Sequence, residues 1–271
     1  MNDPDDLPTQ LRLDPTSDTT YRVPVDDERA ATGYAVYGGQ ILAQMIMAAT
    51  AMSDKIVQSV HAVFARAGTY AEPIHYDVDP MHDGRSFASS TVTCRQGDRL
   101  IARGIILLSS VDPDFLSFQR EERPTTLPVG PGAPDSLSFP GSVTEIPFGA
   151  DESGGLLVWT RRPEPCRSPV ANQAMLSWGT DGYLIGAALG PHPEYDESDA
   201  HKEFSSGVVS HTISFHRPVD LSEWHLLAHE HIVAGGGRVF GRCSVFARTG
   251  ELVASFSQVA MVRARSGQGT L

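Results

Sequence analysis

Apolar and polar positions along the chain fall into two stretches with the same order of elements, one long apolar segment followed by four shorter ones of strand character. In the first stretch, Gly38-Gly39-Gln40 leads into an apolar run from Ile41 to Met52 that is rich in Ala, Met and Leu. That composition favours helix and leaves no wholly polar face, which predicts a buried helix. The segments Ser59 to Arg66, Ile74 to Asp79, Arg85 to Arg95 and Leu100 to Ser109 then alternate or run apolar over strand lengths. Turn signals at Asp83-Gly84 and Gly97-Asp98 predict antiparallel hairpins.

The second stretch opens with a strand from Leu156 to Thr160, and Ser168-Pro169 then supplies an N-cap and a proline at the first helical position. A helix is expected from about Pro169 to Ala188. Its glycines, Gly179, Gly182 and Gly186, each weaken an isolated helix by roughly 1 kcal/mol relative to alanine. They fit a helix approached closely by sheet backbone, or one that breaks at Gly179. Val208 to His216, Trp224 to Val233, Arg238 to Ala247 and Leu252 to Val262 read as four more strands, with turns at Gly235-Gly236-Gly237 and Thr249-Gly250.

Between the stretches, Pro113, Pro124, Pro128, Pro131, Pro134 and Pro140 interrupt any period, so residues 111–142 are expected to be a linker between an N-terminal repeat, 1–110, and a C-terminal one, 143–271. Matching features recur at a spacing of roughly 150 residues. His61 aligns with His211, Gly84-Arg85-Ser86-Phe87 with Gly237-Arg238-Val239-Phe240, and Leu100-Ile101-Ala102 with Leu252-Val253-Ala254. The economical fold is α+β: a curved antiparallel sheet wrapped round its own long helix, made twice and packed as an internal pseudo-dimer, a double hotdog.

Composition narrows the function. The 271 residues are 41% apolar and 20% charged, as in ordinary globular proteins. A formal charge of −12 argues against nucleic acid as a partner, since phosphate binding needs clustered Lys and Arg. The acidic start, Met1-Asn2-Asp3-Pro4-Asp5-Asp6, lacks the features of a signal peptide, and no apolar run reaches spanning length, so a cytoplasmic protein without stable membrane association is expected. Cys94, Cys166 and Cys243 are an odd, scattered set that suits a reducing compartment and suggests no disulfide framework.

The chain contains no G-x-S-x-G elbow, phosphate loop, H-E-x-x-H or G-x-G-x-x-G, which leaves serine hydrolases, P-loop enzymes and Rossmann dehydrogenases unsupported. His225, His229 and His231 have no thiolate or well-placed carboxylate to complete a ligand set, and a solvated strand is favoured over a metal site. Asp181 is a carboxylate in an apolar segment, near Trp178, Leu184 and Ile185, and Gln258 is an amide in the apolar final strand. The first-half counterpart of Gln258 is Ile106. Two readings stand side by side: a hydrogen bond between them that fixes helix-to-sheet register, or a polar site kept by one copy only.

Gly38-Gly39-Gln40, Ser59-Val60-His61, Tyr76-Asp77-Val78 with Asp83-Gly84-Arg85-Ser86-Phe87, Phe215-His216-Arg217-Pro218, Glu223-Trp224, and Leu252-Val253-Ala254-Ser255 with Gln258 resemble the acyl-CoA thioesterase II family. The resemblance runs from about Leu11 to Arg263 and implies hydrolysis of fatty acyl-CoA to free acid and CoA. It implies that Asp181 and Gln258 orient the attacking water, with N–H groups at the start of a central helix polarising the carbonyl. No metal, cofactor or covalent intermediate is implied. The family's third position, a Thr or Ser three residues before His211, is here Val208. Strand alternation would place Ser206, Ser210 and Thr212 on the face of Val208, which makes Ser210 the candidate for the missing hydroxyl. Gly39, Gln40, His61 and Val208 are expected to line the substrate, although His61 also fits a histidine bonded within the sheet. A homodimer or larger homo-oligomer is implied. The alternatives are a hotdog protein that binds acyl-CoA without turnover and, less well supported, a hydratase or dehydratase needing an Asp and His on one site.

Overall fold

The computed structural model describes residues 7–124, 137–138, 144–150, 155–162, 166–189 and 204–264. The chain begins with strands β1 (Asp14–Pro15) and β2 (Thr20–Val23) and a short helix α1 (Asp27–Ala30), followed by α2 (Gly38–Thr50). Strands β3 (Ile56–Phe64), β4 (Ile74–Asp83), β5 (Phe87–Gln96) and β6 (Arg99–Ser109) complete the first half. The second half contains β7 (Leu137–Ser138), β8 (Thr144–Ala150), β9 (Leu156–Arg161), α3 (Pro169–Gly179), α4 (Leu184–Leu189), β10 (Phe204–Phe215), β11 (His225–Gly235), β12 (Arg238–Ala247) and β13 (Leu252–Ala264).

All thirteen strands join in one antiparallel sheet of order β1-β2-β4-β5-β6-β3-β10-β13-β12-β11-β9-β8-β7. Read outward from the central β3·β10 pair, β6-β5-β4-β2 on one side mirrors β13-β12-β11-β9 on the other. This is the double hotdog, two curved sheets fused edge to edge. The α2 helix is buried from Gly39 through Thr50 because its apolar residues surround the axis. It packs against α3 and against strands of its own half. Ser168 caps α3 by accepting from the Ala171 N–H, with Pro169 in the first turn.

Three expectations need correction. The helix expected from about Pro169 to Ala188 is two helices, α3 and α4, and Asp181 lies in the break between them. Glycines weaken the continuation, and Tyr183 takes a left-handed φ of 69° that no helix accommodates. The second correction concerns the repeat. A bulge at Gln58 in β3 recurs at Val209 in β10, and one at Met81 in β4 recurs at Ile232 in β11. These bulges align the halves residue by residue: Val60 corresponds to His211, His61 to Thr212, and Val78 to His229. His61 and His211 are therefore not counterparts. Third, the strand carrying the three histidines is solvated only in its second part: His225 and His229 are only 2% and 1% exposed, while His231 is half-buried and Ile232 to Gly235 are exposed.

Residues 111–124, expected to be linker, carry no helix or strand but are fastened to the second half. Gln119 accepts from the Leu252 N–H at 2.7 Å and donates to the Gly250 carbonyl at 3.0 Å, and Ser244 is hydrogen-bonded to Glu121. The rest of the expected linker lies outside the described residues apart from β7.

Candidate active site

The bulge alignment exposes a chemical asymmetry on the inner face of the sheet. In the first half Val60, Val78, Val92 and Ile106 point inward and are buried. Their counterparts in the second half are His211, His229, Cys243 and Gln258, also buried. One backbone design thus carries an aliphatic row in one copy and a polar row in the other. Buried polar groups require partners, and the partners come from the break after α3.

There Gln258 Nε2 donates to Asp181 Oδ1 at 3.2 Å and also lies 2.7 Å from His211 Nδ1. His211 Nε2 is 3.1 Å from Thr180 Oγ1, and the Thr180 hydroxyl donates to the Ser177 carbonyl at 2.8 Å. The His211 ring stacks on Phe256 with centroids 5.3 Å apart. Its side chain is fully buried and that of Asp181 only 7% exposed. Gln258 Oε1 is buried without a hydrogen-bond partner among the described residues.

The other wall is the start of α2. A β-carbon on Gly38 would overlap the Asp181 carboxylate, and one on Gly39 would overlap the Trp178 carbonyl and the Tyr37 ring. Glycine at both positions lets the end of α3 meet the start of α2. The first N–H groups of a helix lack intrahelical acceptors and carry the positive end of its dipole, so Asp181 sits where negative charge is favoured.

The remaining candidates are dispersed. The bulge at Val209 reverses the alternation beyond it: Val208 pairs with Ala260 and packs with Leu184, Ala188 and Val239, whereas Ser210 pairs with Val259 and Val63. Ser210 therefore shares the outer face with His61 and Thr212, opposite His211 and Gln258, contrary to the expectation that it neighbours Val208. His61 Nδ1 is hydrogen-bonded to Thr212 Oγ1 on that face. Gln40 accepts from Arg29 Nη1 and from the Tyr70 hydroxyl, both at 3.1 Å, and does not bond Asp181.

His211, Thr180 and Gly38 were not among the predicted site residues. His211 alternates in phase with buried Ile213 and Phe215, a signal that would have placed it inside. His229 stands nearby, its ring 5.6 Å from that of Phe256 and 5.8 Å from that of Tyr183. Burial lowers its pKa to about 4 and its Nε2 has no partner among the described residues.

The family model for the acyl-CoA thioesterase N-terminal domain matches residues 26–109, and that for the C-terminal domain matches residues 121–262. Acyl-CoA thioesterase 2 of Haemophilus influenzae is 27% identical, with 93% of this chain and 95% of that protein covered. Acyl-coenzyme A thioesterase 8 of Mus musculus is 24% identical, covering 93% and 87%. An acyl-CoA thioesterase II structure from Mycobacterium marinum has a TM-score of 0.81 at 24% identity over 96% of this chain and 98% of that one. A hot dog fold protein from Alicyclobacillus acidocaldarius gives 0.74 at 16% identity over 94% and 97%; these two likenesses speak to fold. With both halves matched in order by the two domain models, the chain belongs to the acyl-CoA thioesterase family.

Proposed function

We propose that the protein hydrolyses fatty acyl-CoA thioesters at the Asp181–Gln258 site. The observation that carries this reading is the Gln258 amide, held between Asp181 and His211 in a polar row that only the second half possesses. Gln258 Nε2 faces Asp181 and His211 Nδ1 while Oε1 has no partner among the described residues, so the free pole of Gln258 is its carbonyl, which accepts a hydrogen bond from the attacking water rather than donating to an oxyanion. Asp181 takes the proton as the water oxygen bonds to the thioester carbon. Negative charge then develops on the carbonyl oxygen, facing the N–H groups that open α2. When the C–S bond breaks, the thiolate of CoA recovers the proton from Asp181.

One observation favours a second reading, in which acyl-CoA is bound but not consumed. Val208 offers no hydroxyl and Ser210 faces the other side of the sheet, so the third polar group of the family's set has no substitute there. Free thiol release from acyl-CoAs of graded chain length separates the readings. Turnover supports the hydrolase, while protection against thermal unfolding by acyl-CoA without thiol release supports the binder.

The proposed setting is a cytoplasmic homodimer or larger homo-oligomer serving fatty acid metabolism. Its support is that the three cysteines are buried and form no disulfide among the described residues, and that Val63 and Ile105, 49% and 51% exposed, lie on neighbouring strands. Among the described residues no helix is long and apolar enough to cross a membrane.

A further inference from the structure

We infer that His211 is a positioning residue that fixes which pole of the Gln258 amide faces the reacting water. The inference rests on the hydrolase reading of Asp181 and Gln258 and on the Thr180 hydroxyl. That hydroxyl has one proton, directed to the Ser177 carbonyl at 2.8 Å, which leaves Thr180 Oγ1 as an acceptor. His211 Nε2, 3.1 Å away, must then carry a hydrogen and donate it. A neutral imidazole with hydrogen on Nε2 has a bare Nδ1, and Gln258 Nε2 lies 2.7 Å from it. The second Nε2 hydrogen of Gln258 goes to Asp181 Oδ1 at 3.2 Å.

The result is a one-way chain of hydrogen bonds that runs from Gln258 through His211 and Thr180 to the main chain of α3. Turning the Gln258 amide over would set its oxygen against two acceptors at once, the Asp181 carboxylate and the bare Nδ1. It would also bury two amide hydrogens where Oε1 now lies unpartnered. His211 thereby selects the orientation in which Oε1 is free. The ring cannot easily swing away, because it is fully buried and stacked on Phe256 at an interplanar angle of 17°. Nothing similar exists in the first half, where the counterparts of His211 and Gln258 are Val60 and Ile106, paired across β3 and β6. Asp181 alone would constrain the amide through one bond; His211 supplies the second and ties it to the backbone.

Side-chain mimicry gives the test. Asparagine at position 211 puts its oxygen near the place of Nδ1, keeping the acceptor for Gln258 and losing the contact with Thr180. Glutamine puts its amide near the place of Nε2, keeping Thr180 and losing that acceptor. The experiment measures kcat and KM by thiol release for the natural protein, His211→Asn and His211→Gln, thermal unfolding of all three, and the His211 tautomer in the natural protein by nitrogen-15 NMR. We expect hydrogen on Nε2, His211→Asn within about threefold of natural kcat, and His211→Gln lower by about tenfold or more, with KM little changed in both. Equal losses in both variants, or losses that track unfolding temperature, would reduce His211 to a structural role and overturn the inference. Hydrogen on Nδ1 would overturn it whether or not the variants fold. Absence of thiol release by the natural protein would instead sink the hydrolase reading, and with it any role for His211 in turnover, even where the tautomer matches.

Discussion

Gly38 and Asp181 meet where the first turn of α2 abuts the break between α3 and α4, and a β-carbon at residue 38 would occupy the space of the carboxylate. The obstruction is the end of a side chain, which can move, so Gly38→Ala should fold and displace Asp181. We expect kcat to fall by about tenfold or more, because small displacements of a reacting group are costly, with little change in unfolding temperature. Gly39→Ala should behave differently, since its β-carbon would overlap the Trp178 carbonyl, which moves only with the backbone. That variant should lose stability first; activity assays paired with thermal unfolding distinguish the two.

Val208→Thr should raise turnover by restoring a hydroxyl on the inner face. Because Val208 packs among Leu184, Ala188 and Val239, the same hydroxyl should lower stability by about 1 kcal/mol unless it finds a partner. Ser210→Ala should leave kcat unchanged, its side chain being on the opposite face. Chemical denaturation and steady-state kinetics on the two variants check both statements; a large loss in Ser210→Ala would restore that residue to the site.

Stability should fall as the medium is acidified from about pH 6.5 toward pH 4. Burial lowers the pKa of His229 from 6.5 to about 4 and lowers that of His225 in the same direction. The unfolded chain therefore takes up protons first, and the stabilising effect of the neutral imidazoles is complete above pH 6.5 and is lost on descent. For His229 the change between pH 7 and 5 is on the order of 2 kcal/mol. Urea unfolding of the natural protein and His229→Phe at both pH values should show a shallower dependence in the variant; identical slopes would assign the effect elsewhere.

Gln173 joins α3 to the first-half sheet at the bulge in β3, accepting from the Val57 N–H at 3.0 Å and donating to the Val57 carbonyl at 2.8 Å. Gln173→Leu strands both buried backbone groups. A loss of about 2 to 4 kcal/mol is expected, measurable by denaturant unfolding, with the site residues chemically intact.

The repeat and its fold were legible because each strand carries its own periodicity and each hairpin its own turn residues; Arg238–Ala247 was read to its observed limits. The bulges were not legible. An extra residue at Val209 has no turn residue to announce it, yet it reverses every side chain beyond it, which puts Ser210 on the face opposite Val208; the same bulge recurs at Gln58 and leaves the two halves in step, so the pairing of His61 with His211 is off by one residue because it matches residue type rather than register. Asp181 and Gln258 stood out as polar groups in apolar surroundings. His211 and Thr180 did not, since Ser, Thr and His are unremarkable in a half-exposed strand or a helix end, and only the register brings them to the Gln258 amide. The split between α3 and α4 was available as a reading of Gly179, but propensity alone does not decide whether close packing rescues a glycine-rich helix.

The central claim is that the Asp181 carboxylate drives thioester hydrolysis, and the most direct measurement compares the natural protein with Asp181→Asn. Single-turnover thiol release is followed alongside binding of a non-hydrolysable acyl-CoA analogue and thermal unfolding. The account predicts a rate lower by about a hundredfold or more, with analogue affinity and unfolding temperature close to natural values. Undiminished thiol release from Asp181→Asn would contradict it.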